Sequence, residues 1–158
     1  MIHSVQRPQS SRASHCATAE QYAEMYERSV TDPSSFWLDQ SGRLDWLVSP
    51  SVGGDWSYDP VDIKWFADGT LNLCHNAVDR HLADRADQTA LIFEPDDPKT
   101  PGRTLTYGEL HAEVVRMANA LKAMGATKGD RVTVYMPMIV EGVLAMLATW
   151  SSSFATRS

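Results

Sequence analysis

The pattern that most restricts this chain is a strand followed at once by a helix with no polar side. Arg131-Val132-Thr133-Val134-Tyr135 alternates with the period of a strand. It runs through Met136-Pro137 into a helical stretch carrying Ile139, Val140, Val143, Leu144, Met146 and Leu147. A helix that is apolar nearly all round has to be buried, here against a sheet, and a parallel strand needs neighbours on both edges. One strand and one helix cannot supply that for each other. The unit therefore reads as the opening of a doubly wound α/β domain. After Ala148 the pattern stops: Thr149-Trp150-Ser151-Ser152-Ser153-Phe154-Ala155-Thr156-Arg157-Ser158 is polar and aperiodic. We expect the domain to be interrupted there, with 149–158 a tail unrelated in character to what precedes it.

Upstream, local signals define a series of elements. Residues 1–17 are rich in Ser, Gln and Arg without any period, and are expected to be a disordered arm. From Ala19 a helix is predicted with Tyr22, Met25, Tyr26 and Val30 on one face. Asp32-Pro33 ends it and caps a second helix bearing Phe36, Trp37 and Leu44, with Gly42 near its end. Residues 48–60 read as a loop by composition, held down by Trp46 and Trp56. Ile63-Lys64-Trp65-Phe66 is strand-like and stops at the turn Asp68-Gly69. Asn72 should cap a helix with Leu71, His75, Val78 and Leu82 on its apolar face.

The period then changes. Thr89–Phe93 and Arg103–Thr106 flank the turn-rich stretch 95–102 and predict an antiparallel hairpin. Thr106-Tyr107-Gly108-Glu109 matches a capping box. The helix behind it places Leu110, Val114, Met117, Leu121 and Met124 on one face, and Gly125 suits the left-handed position that ends it.

Charge and composition exclude several classes. The chain has 14 Lys+Arg against 20 Asp+Glu, a net charge of −6, and no basic run longer than two residues. Nucleic-acid backbones are held by clustered cations, so no nucleic acid is expected as partner. The stretch 136–150 is interrupted by Pro137, Glu141 and Gly142 and falls short of the roughly 18 to 20 apolar residues a membrane span needs. The arm carries Arg7 and Arg12 but no apolar run, so no secretory signal is expected in it. Its acid-poor, Ser-rich make-up resembles an organelle leader only superficially, since the amphipathic period is missing. Cys16 and Cys74 form no disulfide framework, and reduced thiols in a cytoplasmic protein are the expectation.

Candidate chemistry is sparse. Neither G-x-G-x-x-G nor G-x-x-x-x-G-K-[ST] occurs; Gly125 reads as a helix stop and Gly129 as a turn. Ser151–Ser153 lacks the glycines and lysine that would wrap a phosphate. Cys74, His75 and His81 lie close in sequence, but His75 and His81 are six apart and fall on different helix faces. His75 reads as a partly buried packing residue, His81 as a donor to a loop carbonyl, and Arg80 with Asp84 as an i,i+4 pair. No G-x-S-x-G elbow marks a nucleophile. No catalytic, cofactor-binding or metal-binding residue is assigned.

A collinear run of stretches carries more. Tyr22-Ala23-Glu24-Met25-Tyr26-Glu27-Arg28-Ser29, Asp32-Pro33, Phe36-Trp37 and Arg43-Leu44-Asp45-Trp46 come first. Ile63-Lys64-Trp65-Phe66-Ala67-Asp68-Gly69-Thr70-Leu71-Asn72-Leu73 and Asp79-Arg80-His81-Leu82 follow. Thr89–Asp97, Thr106–Leu110, Lys128–Val132, Tyr135–Met138 and Ala145–Ala148 complete it. Together, over residues 20–148, these resemble the N-terminal region of acetyl-CoA synthetase, the AMP-forming acetate–CoA ligase of the adenylate-forming superfamily. The resemblance implies a helical cap over 18–88 plus a β-hairpin. It also implies the start of the AMP-binding domain over 89–148, an incomplete α/β fold.

Such enzymes activate acetate with ATP as an acyl-adenylate, release pyrophosphate and pass the acyl group to CoA. The resemblance implies acetate, ATP, Mg and CoA for a full-length enzyme and none of the cofactors for this stretch. The family's phosphate loop with its lysine, its carboxylate pocket, its ribose-binding aspartate and its C-terminal lysine all lie further along. Where the family continues in a Cys-Ala-Arg-Ile-Gly-Ala-type run that begins its CoA contacts, this chain has Thr149-Trp150-Ser151. The expectation is an inactive fragment of an acetyl-CoA synthetase, with a tail such as a frameshift gives. A propionyl-CoA synthetase fragment and a stand-alone protein-interaction module are the alternatives.

Overall fold

Thr18 and Asp32 punctuate the first two helices. In the computed structural model, which describes residues 18–151, Thr18 and Gln21 form a capping box at the head of α1 (Ala19–Thr31). Asp32 accepts from the Ser35 N–H, and Pro33 takes the first turn of α2 (Pro33–Ser41), with Gly42 as its C-cap. The arm with Cys16 and residues 152–158 lie outside the described residues. Arg28 ties α1 to α2 through an ion pair with Asp39, its guanidinium 5.9 Å from the centre of the Phe36 ring. The stripe on α1 is uncovered: Tyr22, Tyr26 and Val30 are 62%, 60% and 62% exposed.

Residues 48–60 are not a simple loop. β1 (Trp46–Val48) pairs antiparallel with β4 (Thr70–Leu71), and β2 (Gly54–Tyr58) forms a hairpin with β3 (Val61–Trp65) across the cis Asp59–Pro60 bond. The Gly, Ser and Pro content read as loop is overridden by pairing with β3 and by aromatic packing. Trp56 stacks on Trp65 at 5.4 Å, Trp37 meets Trp65 edge-on at 6.1 Å, and Trp46 meets Phe66 at 5.5 Å. Gly53 lets this layer touch α2. A Cβ there would stand 1.9 Å from the Ser34 carbonyl oxygen and 2.9 Å from the Leu38 nitrogen, both backbone atoms that cannot rotate away. Gly53→Ala is therefore expected to cost about 1–3 kcal/mol. The check is a lowered urea midpoint at unchanged m-value; an unmoved midpoint would mean that α2 and this loop are not in contact.

The helix expected from Asn72 to Leu82 is broken. Asn72 does cap α3 (Leu73–Ala77), but Leu71 sits in β4, and Val78 at φ −130° and ψ −61° leaves the helical region. A 3₁₀ turn (Asp79–His81) and the short α4 (Leu82–Arg85) follow. The break carries Val78 into the core, where it is 1% exposed.

The hairpin forms where expected, as β5 (Thr89–Phe93) against β6 (Arg103–Thr106). Thr106 and Glu109 close their capping box at the head of α5 (Tyr107–Ala123), and Gly125 follows it at φ +93°. α6 (Val140–Thr149) buries Val140, Leu144, Ala145, Leu147 and Ala148. It packs on α5 rather than on a sheet. Arg103 of β6 reaches Glu141 of α6 at 3.3 Å and Glu113 of α5 at 3.8 Å. The core joins Cys74 and Val78 to Leu105, Leu110, Val114 and Ala118 and to the buried face of α6, with Trp150 packed against it.

Residues 131–135 form no strand. Their alternation is real, but among the described residues they have no ladder partner, and strand geometry is completed by a neighbour. The described sheets are three two-stranded antiparallel pairs.

Candidate functional site

A cluster of polar contacts between distant residues converges on the segment before β1. The Asp45 N–H donates to Asn76 Oδ1 at 2.8 Å, and Asn76 Nδ2 donates back to the Asp45 carbonyl at 2.9 Å. The same Nδ2 donates to the Asn72 carbonyl at 3.0 Å. Arg80 Nη1 donates to Asn76 Oδ1 at 2.9 Å and to the Arg43 carbonyl at 3.2 Å, and lies 3.5 Å from Asp45 Oδ1. His75 Nε2 is 3.1 Å from Asp45 Oδ2. This clasp locks the Arg43–Trp46 segment onto α3. Its donors and acceptors are turned on one another, so it fixes geometry and offers a ligand little.

The structure corrects the readings of Arg80 and His81 and adds a partner to that of His75. Arg80 turns away from Asp84 because Asn76 Oδ1, the Arg43 carbonyl and the Asp45 carboxylate offer it a better-directed set of acceptors. His75 is partly buried, but its ring nitrogen faces Asp45. His81 lies tilted against the Tyr107 ring at 5.3 Å. Asn76 and Asp45 gave no sign of their roles in sequence, since 31 residues separate them.

Cys74 borders a cavity of about 260 Å³ that Asp79, His111, Asn119, Lys122 and Ser151 also line. Its side chain is buried, and burial first, with the Asp79 carboxylate second, pushes the thiol up from 9.0 to about 11. His111 Nε2 lies 3.8 Å from Asp79, but a thiol held protonated is no nucleophile at neutral pH. Alkylation of Cys74 at pH 8, mapped by peptide mass spectrometry, is expected to be near zero in buffer and complete in urea. The thiol is protonated in both states below pH 9. Between pH 9 and 11 the unfolded chain releases a proton that the folded chain keeps, so stability falls as pH rises through that window. Rapid alkylation of the native chain would refute this burial.

A cavity of about 610 Å³ lies between β5 and the start of α6. Leu91, Phe93, Pro137, Ile139, Val140 and Val143 line it with Glu94 and Asp96. With carboxylates and no basic side chain in its lining, it does not fit a polyphosphate. Gly125 and Gly129, at φ +93° and +97°, open no helix and so present no amide cradle to an anion. Among the described residues, no three His, Cys, Asp or Glu are grouped to hold a metal ion.

Comparison with known sequences decides the family. The sequence profile of the acetyl-coenzyme A synthetase N-terminus matches residues 22–77, and that of the AMP-binding enzymes matches residues 78–156, half of the chain. The chain belongs to the AMP-binding enzyme family.

Among relatives of this family, acetyl-coenzyme A synthetase of Bradyrhizobium diazoefficiens is 54% identical over 80% of this chain and 20% of its own length. That of Parvibaculum lavamentivorans is 56% identical over 82% and 20%. The solved acetoacetyl-CoA synthetase from Streptomyces lividans superposes on 92% of this chain and 23% of its own, with a TM-score of 0.72 at 28% identity. The chain thus spans about a fifth of the length of the curated relatives it matches. The two profile matches meet between Ala77 and Val78, yet Cys74 and Val78 share one core with α5 and α6. In this AMP-binding family member the two matched segments are therefore packed together rather than strung as separate beads.

Proposed function

We propose that this chain is the N-terminal part of an AMP-forming acetate–CoA ligase. The enzyme's reaction joins acetate to ATP as acetyl-adenylate with release of pyrophosphate, then moves the acetyl group to the CoA thiol with release of AMP. The observation that carries this reading is the identity of 54% and 56% to two acetyl-coenzyme A synthetases over four-fifths of the chain. Their shared name favours acetate over propionate. In this reading residues 18–88 are the cap and 89–148 begin the AMP-binding domain. The core around α5, which takes in Cys74 and Val78, holds the two together. The sites for ATP, Mg and CoA, and the chemistry, belong to the remaining length of such an enzyme, and the chain alone is inactive. A cytoplasmic location accords with this; among the described residues no helix is long and apolar enough to cross a membrane.

A chimera tests the reading. The matched segment of the Bradyrhizobium diazoefficiens synthetase is replaced by the corresponding residues of this chain, and acetate-dependent ATP–pyrophosphate exchange is measured. Exchange within about tenfold of the parent is expected, a change of about 1.4 kcal/mol or less in the barrier. The purified 158-residue chain should show none. A folded chimera without exchange would overturn the assignment.

A further inference from the structure

We infer that Asp68-Gly69 is a latent modification site, an aspartyl–glycyl pair that the fold restrains from rearranging to isoaspartate, with Ser51 as the restraining residue. The inference is independent of the family reading, because it concerns chemistry that this segment carries by itself.

Asp68-Gly69 is the only Asp-Gly pair in the chain, and no Asn-Gly pair occurs. Glycine leaves its own nitrogen without a side chain beside it, so such a pair is unusually open to internal attack. In the reaction the Gly69 nitrogen attacks Cγ of the Asp68 carboxylic acid. The N–Cγ bond forms, the nitrogen gives up its proton and the carboxyl hydroxyl leaves as water. Water then opens the cyclic imide at either carbonyl. One opening returns aspartate, and the other leaves the main chain running through Cβ. The water lost in the first step is regained in the second, and no other reactant is needed.

The contacts around this pair oppose the first step. The Gly69 N–H donates to the Phe66 carbonyl at 2.8 Å, which holds the attacking nitrogen in a turn, and Gly69 is buried. Asp68 Oδ2 accepts from the Ser51 hydroxyl at 2.6 Å and from the Ser51 N–H at 2.9 Å, on a segment 17 residues away. These two hydrogen bonds, the hydroxyl first, hold the carboxyl below the usual carboxylate range. It is kept ionised, whereas the neutral acid is the form that loses water.

The fold also has no room to replace the glycine. A Cβ at position 69 would stand 2.7 Å from the Trp46 ring and 3.2 Å from the Phe66 carbonyl oxygen. That ring is fixed: Trp46 Nε1 donates to the Ser41 carbonyl at 2.9 Å, and the Phe66 ring lies 5.5 Å away. Phe66 itself sits at φ +50°, a conformation that bulky residues seldom adopt, in the turn that brings its carbonyl to the Gly69 N–H. Rearrangement would add a methylene to the main chain just before Thr70, which pairs with Val48. The modified turn would no longer fit between Phe66 and β4.

The test incubates the full 158-residue chain near neutral pH in water labelled with heavy oxygen, in buffer and in guanidinium chloride. Isoaspartate at residue 68 is then scored by peptide mass spectrometry. The rate in buffer is expected to be at least about tenfold below that in denaturant, because the native turn must open first. Ser51→Ala should raise the rate in buffer about three- to tenfold, through loss of a hydrogen bond to a charged acceptor, and leave the rate in denaturant unchanged. Ser51→Thr, which keeps a hydroxyl, should stay near the parent. Val114→Ala, which weakens the core and keeps Ser51, should stay within about twofold of it, since only a local opening is needed. Equal rates in buffer and denaturant overturn the inference, as does a Ser51→Ala chain that reacts no faster. Acceleration by Val114→Ala as large as that by Ser51→Ala would make overall stability the restraint and remove Ser51 from the role. Isoaspartate formed without heavy oxygen at residue 68 would refute the imide route.

Discussion

Val114→Asp is expected to abolish the cooperative urea transition of the chain, with the far-UV signal of α5 lost even in buffer. Val114 is 1% exposed, in the middle of α5, and packs in the core with Cys74, Val78, Leu110 and the buried face of α6. An unpaired carboxylate there either stays ionised in an apolar medium or takes up a proton. Either route costs several kcal/mol. Domains have only about 5–15 kcal/mol in total, and this one leaves many apolar side chains in water. Val114→Ala separates packing from charge: it should lower stability by about 2 kcal/mol while the transition survives. A Val114→Asp chain that keeps the parent midpoint would show that α5 and α6 do not enclose this position.

Asn76→Ala is expected to lower stability by about 2–3 kcal/mol and to release the segment before β1. The amide of Asn76 satisfies both backbone groups of Asp45, and its oxygen also accepts from Arg80. Truncation removes these hydrogen bonds and the one to the Asn72 carbonyl, each contributing about 0.5–1.5 kcal/mol, of which water restores part at the exposed Asp45. Native-state hydrogen exchange gives a local readout, since the Asp45 amide should lose protection while amides inside α5 keep theirs. Asn76→Asp keeps the acceptor for the Asp45 N–H and Arg80 but loses the donor and adds charge near the Asp45 carboxylate, so it should fall between. A cycle with Arg80→Ala should show coupling of about 0.5–3 kcal/mol. Full additivity would remove Arg80 from the clasp.

How much of this could be read from the residues alone differs by element. α5 was legible because its determinants are local: the Thr106–Glu109 box, the apolar spacing and Gly125 all act within a turn or two, and only Met124, read onto the apolar face, falls beyond the helix end and 83% exposed. The Asp32-Pro33 junction and the β5–β6 hairpin were legible for the same reason. The pattern of α1 was correct as a helix, yet period says which residues share a face and not what covers it, and Tyr22 and Tyr26 remain in water. β2 was hidden under Gly, Ser and Pro because its strand character comes from β3 and from Trp65 stacked on Trp56. The candidate site was least legible. The Asp45–Asn76 pair spans 31 residues and the Arg103–Glu141 contact spans 38, and neither leaves a mark in any short window.

The amino-acid order by itself determined the starts of α1, α2, α3 and α5 and the end of α5, the β5–β6 hairpin and, through its run of collinear stretches, the kinship with acetyl-CoA synthetases. Those follow from hydrogen bonds and torsions between residues a few positions apart. Only the tertiary structure decided that Val78 breaks a helix to enter the core and that α6 leans on α5. It also decided that the strand-like residues 131–135 stand without a ladder. The reason is physical: a strand, unlike a helix, satisfies its backbone outside itself, so its pattern shows a capacity that only a neighbour completes.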